Sequence, residues 1–253
     1  MASWSTTRKY GYLSALVIVL VVLVGVPAFL LLYRAPTCFD GRQNGEERGV
    51  DCGGACVKLC LADFADPRVL WSYSTRVVPG VYNSMAYIQN PNQGVEAKDL
   101  SYVFKLYDAE GLLVASREGR AFVPAGQRTA IFEGAIKTGS RAPTRTTFEF
   151  TTTPEWERGE SFTSIRVLSI DLSSSDTPSA TVRVENQALD RGFSGVDAAI
   201  VLYDKDDNRV SFSKTVISSM APGETLTLYF TWPEAFSSEV FRSELLFSVP
   251  RAR

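Results

Sequence analysis

The chain has 253 residues, with 26 Lys plus Arg against 28 Asp plus Glu, no histidine and four cysteines. Arg8, Lys9 and Arg34 are the only charges in the first 34 residues, so the remainder carries 23 basic against 28 acidic groups, a formal −5. A mildly acidic chain without a basic cluster does not suit nucleic acid, and the lack of histidine removes the commonest general base and imidazole metal ligand.

Residues 13–33 hold 21 positions without a charge. At about 1.5 Å per residue such a helix crosses the roughly 30 Å hydrocarbon core of a bilayer. Arg8 and Lys9 precede the run, whereas Asp40, Glu46, Glu47 and Asp51 follow it. Residues 1–12 therefore read as a short cytoplasmic tail, 13–33 as a single transmembrane helix, and the rest as extracytoplasmic. A cleavable signal peptide would be shorter and end in small residues, whereas bulky residues occupy 29–33. Gly25 and Pro27, in the outer half of the run, suggest a slight kink.

Residues 34–64 contain Cys38, Cys52, Cys56 and Cys60. On the outer side of a membrane four close cysteines read as two disulfides, with three pairings open. A four-thiolate zinc site is the rival, but the spacing lacks paired C-x₂-C knuckles. The segment is too polar and glycine-rich for a core and holds its shape only if cross-linked. Asp40, Asn44, Glu46 and Asp51 offer hard oxygen donors suited to calcium, without the spacing of an EF-hand. The same residue types also serve ordinary turns, and both readings stand at this point.

The run Asp40-Gly-Arg-Gln-Asn-Gly-Glu-Glu-Arg-Gly-Val-Asp-Cys-Gly-Gly-Ala-Cys56 resembles a short cysteine-rich element, of D-G-x-x-N-G and D-C-G-G-x-C pattern, found in exported and surface-displayed bacterial proteins. The resemblance implies a compartment and supplies no activity.

From about residue 66 the chain turns to short runs rich in Val, Ile, Phe, Tyr and Thr, separated by Gly, Pro, Asn and Asp, the pattern of antiparallel strands. Similar residues recur 96 or 97 positions apart. Ala86-Tyr-Ile-Gln-Asn90 answers Val182-Arg-Val-Glu-Asn186, and Phe104-Lys-Leu-Tyr-Asp108 answers Ile200-Val-Leu-Tyr-Asp204. Val123-Pro-Ala-Gly-Gln127 likewise answers Met220-Ala-Pro-Gly-Glu224. That period is the size of a sandwich domain, so the fold expected is all-β, with two tandem antiparallel Ig-like β-sandwiches over 65–160 and 161–253. Alternation turns Tyr102, Phe104 and Leu106 to the core and Lys105 and Tyr107 away, with Ile200 and Leu202 facing the second core. These repeated residues resemble the FxLYD domain, a small sandwich of extracytoplasmic and membrane-anchored prokaryotic proteins. The family carries no established catalysis, so the resemblance implies display, scaffolding or ligand contact.

Tyr107, Tyr203, Trp156 and Trp232 are the candidate ligand-contact residues, since aromatics supply contact area at low entropic cost. Packing over neighbouring strands is the plainer role for the tyrosines, and packing at the domain junction for the tryptophans. Asp108 and Asp204 suit turns, and Asp204, Asp206, Asp207 and Asn208 suit either a hairpin loop or a cation. Trp71 and Tyr73, on the first strand, are expected to pack on the cysteine segment. Neither a nucleophile elbow nor a phosphate-binding glycine loop is present. The expected role is non-enzymatic: a structural or scaffolding module in a cell-envelope assembly. Surface adhesion or ligand binding is the alternative, and a glycan-active enzyme the third reading. The expected partners are the lipid bilayer with either an envelope protein or a cell-surface glycan.

Overall fold

The computed structural model describes residues 4–28, 37–56, 58–60, 63–159 and 164–248. Residues 29–33 of the expected membrane span, Arg34, and the expected domain boundary at 160–161 lie outside the described residues. Contacts divide the chain into two compact units, Met1–Lys58 and Leu59–Arg253.

The first unit opens with helix α1, Trp4–Leu20, which continues as a π-helical turn over Val21–Gly25. The stretch Lys9–Ala28 is long and apolar enough to cross a membrane, and none of it is buried within the protein. The irregularity expected near Gly25 and Pro27 takes the form of that π turn. Proline at 27 brings no N–H to the ladder, and a widened turn accommodates its ring. Further along, Cys38 and Cys56 form a disulfide. Cys52 and Cys60 are also disulfide-bonded, so no cysteine is free and the zinc reading falls. Gly54, at φ +57°, sits where an added Cβ would lie 1.7 Å from the Glu46 carbonyl oxygen, so only glycine fits.

The described residues of the second unit form the strands β1 Arg68–Val78, β2 Val81–Gln89, β3 Val95–Tyr107, β4 Leu113–Val123, β5 Arg128–Lys137, β6 Arg145–Phe150, β7 Trp156–Arg158, β8 Ile165–Ser173, β9 Ser179–Asn186, β10 Phe193–Tyr203, β11 Arg209–Met220, β12 Thr225–Thr231 and β13 Arg242–Ser248. They form four antiparallel sheets, ordered β1-β2-β5, β4-β3-β6 with β7 also on β3, β12-β9-β8, and β11-β10-β13. Among the described residues three apolar cores hold the sheets together. Between the first two, Phe104, Leu106, Ile88 and Trp156 are buried, and Leu59 and Phe64 pack on the same cluster. Between the last two, Val182, Ile200, Leu202 and Phe230 are buried. The third core joins the facing sheets β1-β2-β5 and β11-β10-β13 through Met85, Tyr87, Val201, Tyr203, Phe212 and Leu246.

The third core changes the reading of the central strands. Alternation alone gives β10 one buried face, yet every residue from Ala198 to Tyr203 is buried, because each face meets a different core. β2 is buried on both faces in the same way. Trp71 and Tyr73, expected to pack on the cysteine segment, have aromatic partners in this core. Trp71 meets Tyr87 at 5.3 Å and Tyr73 meets Phe212 at 6.4 Å, with the Arg209 guanidinium over both Trp71 and Tyr73.

Candidate functional site

The recurring motif residues serve structure. Phe104, Leu106, Ile200 and Leu202 are fully buried. Tyr107 lies under the Arg145 guanidinium at 4.4 Å, and Tyr203 under that of Arg242 at 3.9 Å, so an arginine from a neighbouring strand roofs each ring. Asp108 accepts the Leu112 N–H and pairs with Arg141. Asp204 accepts the N–H groups of Asp206 and Asn208, and a side-chain hydrogen bond from Asn208 holds its carboxyl below the usual range. These are hairpin turns closed by their own first residue.

Asn90 and Asn186 are buried hubs. Asn90 Nδ2 donates to the Val95 and Pro124 carbonyls at 2.8 and 2.9 Å, and its Oδ1 accepts the Asn92 N–H. Asn186 Nδ2 donates to the Arg191 and Ala221 carbonyls at 2.9 and 3.0 Å, and its Oδ1 accepts the Ala188 N–H. Each side chain pins two loops to the end of a strand.

The candidate calcium donors are largely occupied by local bonds. Asp51 accepts the N–H groups of Asp40 and Gly41, while Asp40 accepts from Arg42 N–H and Asn44 Nδ2. The bond from Asn44 is the main reason that the Asp40 carboxyl titrates low. Glu46 is exposed, and Asn44 Oδ1 is buried without a hydrogen-bond partner. Among the described residues the one close group of thiol and acid ligands is Cys38, Glu47 and Cys56, whose sulfurs are consumed in a disulfide.

Of the four aromatics expected to contact ligand, Trp156, Trp232 and Tyr203 are only 4, 6 and 5% exposed, and Tyr107 is half-buried. They do not form a common ridge. Trp156 packs on Phe64 within the first core. Trp232 packs on Phe236 in the second, with its indole N–H donating to the Phe212 carbonyl at 3.1 Å.

Trp232 does line a cleft of about 240 Å³, formed where β1 passes the start of β11 and the loop after β12. Tyr73, Thr75 and Arg76 come from β1, Ser211 from β11, and Glu234 and Phe236 from the loop. At its mouth Arg76 reaches Glu234 Oε2 through Nε at 3.2 Å and Nη2 at 3.1 Å. The cleft thus offers aromatic walls, hydroxyls, and one cation and one anion that cancel. At that volume the cleft lies below the range usual for drug-sized ligands. The cleft joins residues more than 150 positions apart, and no local motif marks it in the sequence.

No family model matches the chain, and no curated protein matches it either. Among solved structures it is similar to Bacteroides uniformis beta-glucuronidase, at 12% identity and a TM-score of 0.26, over 66% of this chain and 24% of that one. The chain therefore spans about a quarter of that protein. A second likeness is to the CBM22-1-CBM22-2 tandem domain from Paenibacillus barcinonensis Xyn10C, at 10% identity and a TM-score of 0.16, over 75% of this chain and 92% of that one. Likenesses this slight carry no functional argument.

Proposed function

We propose that the chain is a membrane-anchored, extracytoplasmic, non-catalytic binding module whose cleft between β1 and the loop after β12 takes a small neutral polyhydroxylated ligand, a saccharide ring. In this reading the two halves of the second unit are FxLYD-like sandwiches with Ig-like packing. The apolar stretch Lys9–Ala28 is the anchor and the N-terminus is cytoplasmic, since Arg8 and Lys9 stand at its N-terminal end. The disulfides support an oxidising compartment. The observation that carries the ligand is the balanced Arg76–Glu234 pair set beside Tyr73 and Phe236. Guanidinium donors and a carboxylate acceptor bracket hydroxyls, and the rings cover the apolar face of a sugar.

Calorimetric titration of the full-length protein in detergent micelles against a panel of neutral saccharides tests this reading. Saturable binding is expected, weakened about tenfold or more by Tyr73→Ala and by Arg76→Ala. Heats that never saturate, or affinities indifferent to both substitutions, reject the cleft as the site. The second reading is a scaffolding role in an envelope assembly, favoured by the uncharged edge strand β12.

A further inference from the structure

Strand edges are templates for pairing with another chain, and proteins block them with charge, proline or bulges. Among the described residues β12 lies at the edge of its sheet, with β9 as its one neighbour there. Its sequence is Thr225-Leu-Thr-Leu-Tyr-Phe-Thr231, without a charge or a proline. Its register with β9 runs from Thr225↔Glu185 to Thr231↔Ser179 without a shift. Every other edge strand among the described residues carries at least two charged side chains. β5, which holds the matching place in the first half, bears Arg128, Glu133 and Lys137 and has a register shift against β2. β12 is the one edge in the molecule's described part left undefended.

We infer that β12 is a self-pairing edge, through which two copies of this chain join antiparallel to continue one sheet across both. The occupant follows from the strand's own pattern. An antiparallel pair of identical strands has a two-fold axis, which pairing of all seven residues places at Leu228. About that axis Thr225 faces Thr231, Leu226 faces Phe230, and Thr227 faces Tyr229. Hydroxyl-bearing residues therefore meet on the outer face, where Thr227 and the 68%-exposed Tyr229 stand, and apolar residues meet on the inner. No charge opposes its like anywhere along the seam, and Thr and aromatic cross-strand pairs stabilise antiparallel ladders. Seven residues give a seam about 23 Å long at roughly 3.3 Å per residue. Confinement of both copies to one membrane raises their effective concentration. The inference stands independently of any ligand in the cleft.

Sedimentation equilibrium of the full-length protein in density-matched detergent measures the assembly. Wild type is expected to dimerise. Thr227→Lys with Tyr229→Lys sets lysine against lysine twice across the axis and raises the dimer Kd about tenfold or more. Thr227→Glu with Tyr229→Lys sets opposite charges at the same places and retains the dimer. Both positions are exposed, and circular dichroism confirms that each variant is folded. A monomeric wild type, a double-lysine variant that dimerises as tightly as wild type, or a glutamate–lysine variant as weak as the double-lysine one each overturns the inference.

Discussion

Asn90 and Asn186 show how much one side chain can hold in place. Each is almost wholly buried, and each spends its amide on two carbonyls and one N–H of neighbouring segments. Truncation removes these hydrogen bonds in a buried setting, where each group left without a partner costs about 1–3 kcal/mol. Asn90→Ala and Asn186→Ala are therefore each expected to lower stability by about 2 kcal/mol or more in urea denaturation. Exposed Asn208→Ala should change it by less than about 0.5 kcal/mol. The sequence marks both asparagines by recurrence, and alternation correctly turns Phe104 and Leu106 inward. It does not reveal the arginines over Tyr107 and Tyr203, because those arise from register across β3/β6 and β10/β13.

β10 is the element where period-2 reasoning stops short. The run Ala198-Ala-Ile-Val-Leu-Tyr203 has no polar residue on either face, a sign of a strand covered on both sides. Ile200 and Leu202 enter the second core, and Ala199, Val201 and Tyr203 the third. If the halves were independent sandwiches, Val201 would be a surface residue and its truncation would cost less than about 0.5 kcal/mol. With the third core in place, Val201→Ala is expected to cost about 1–3 kcal/mol, approaching the roughly 2–5 kcal/mol of Leu202→Ala. Chemical denaturation of the two variants side by side distinguishes the cases. The cleft depends on the same joint, since β1 and β11 reach it from opposite halves. Its residues carry no local signature, so it was not legible before the sheets were in place.

At the scale of the whole molecule the joint is both apolar and titratable. Tyr87 Oη donates to Glu244 Oε1 across the two halves, and Tyr203 Oη reaches Glu244 Oε2 at 3.4 Å. Burial pushes both phenols up from their ordinary value near 10, and the Glu244 carboxylate pushes them further. Tyr102, in the first core, is raised by burial and by Glu133. A phenol raised on folding holds its proton more tightly in the native state than in the unfolded chain. Its contribution is therefore complete below about pH 10 and is lost as pH climbs toward the folded value. Stability should not depend on these groups from pH 7 to 9 and should fall steeply above about pH 10. Tyr87→Phe removes one of the three protons from that dependence, so the slope of stability against pH above 10 is expected to flatten. Stability measured across pH 8–12 for wild type and variant, with phenolate absorbance followed in parallel, checks this. An unchanged slope would mean that Tyr87 ionises as freely in the fold as outside it, and that the Glu244 contact does not join the halves.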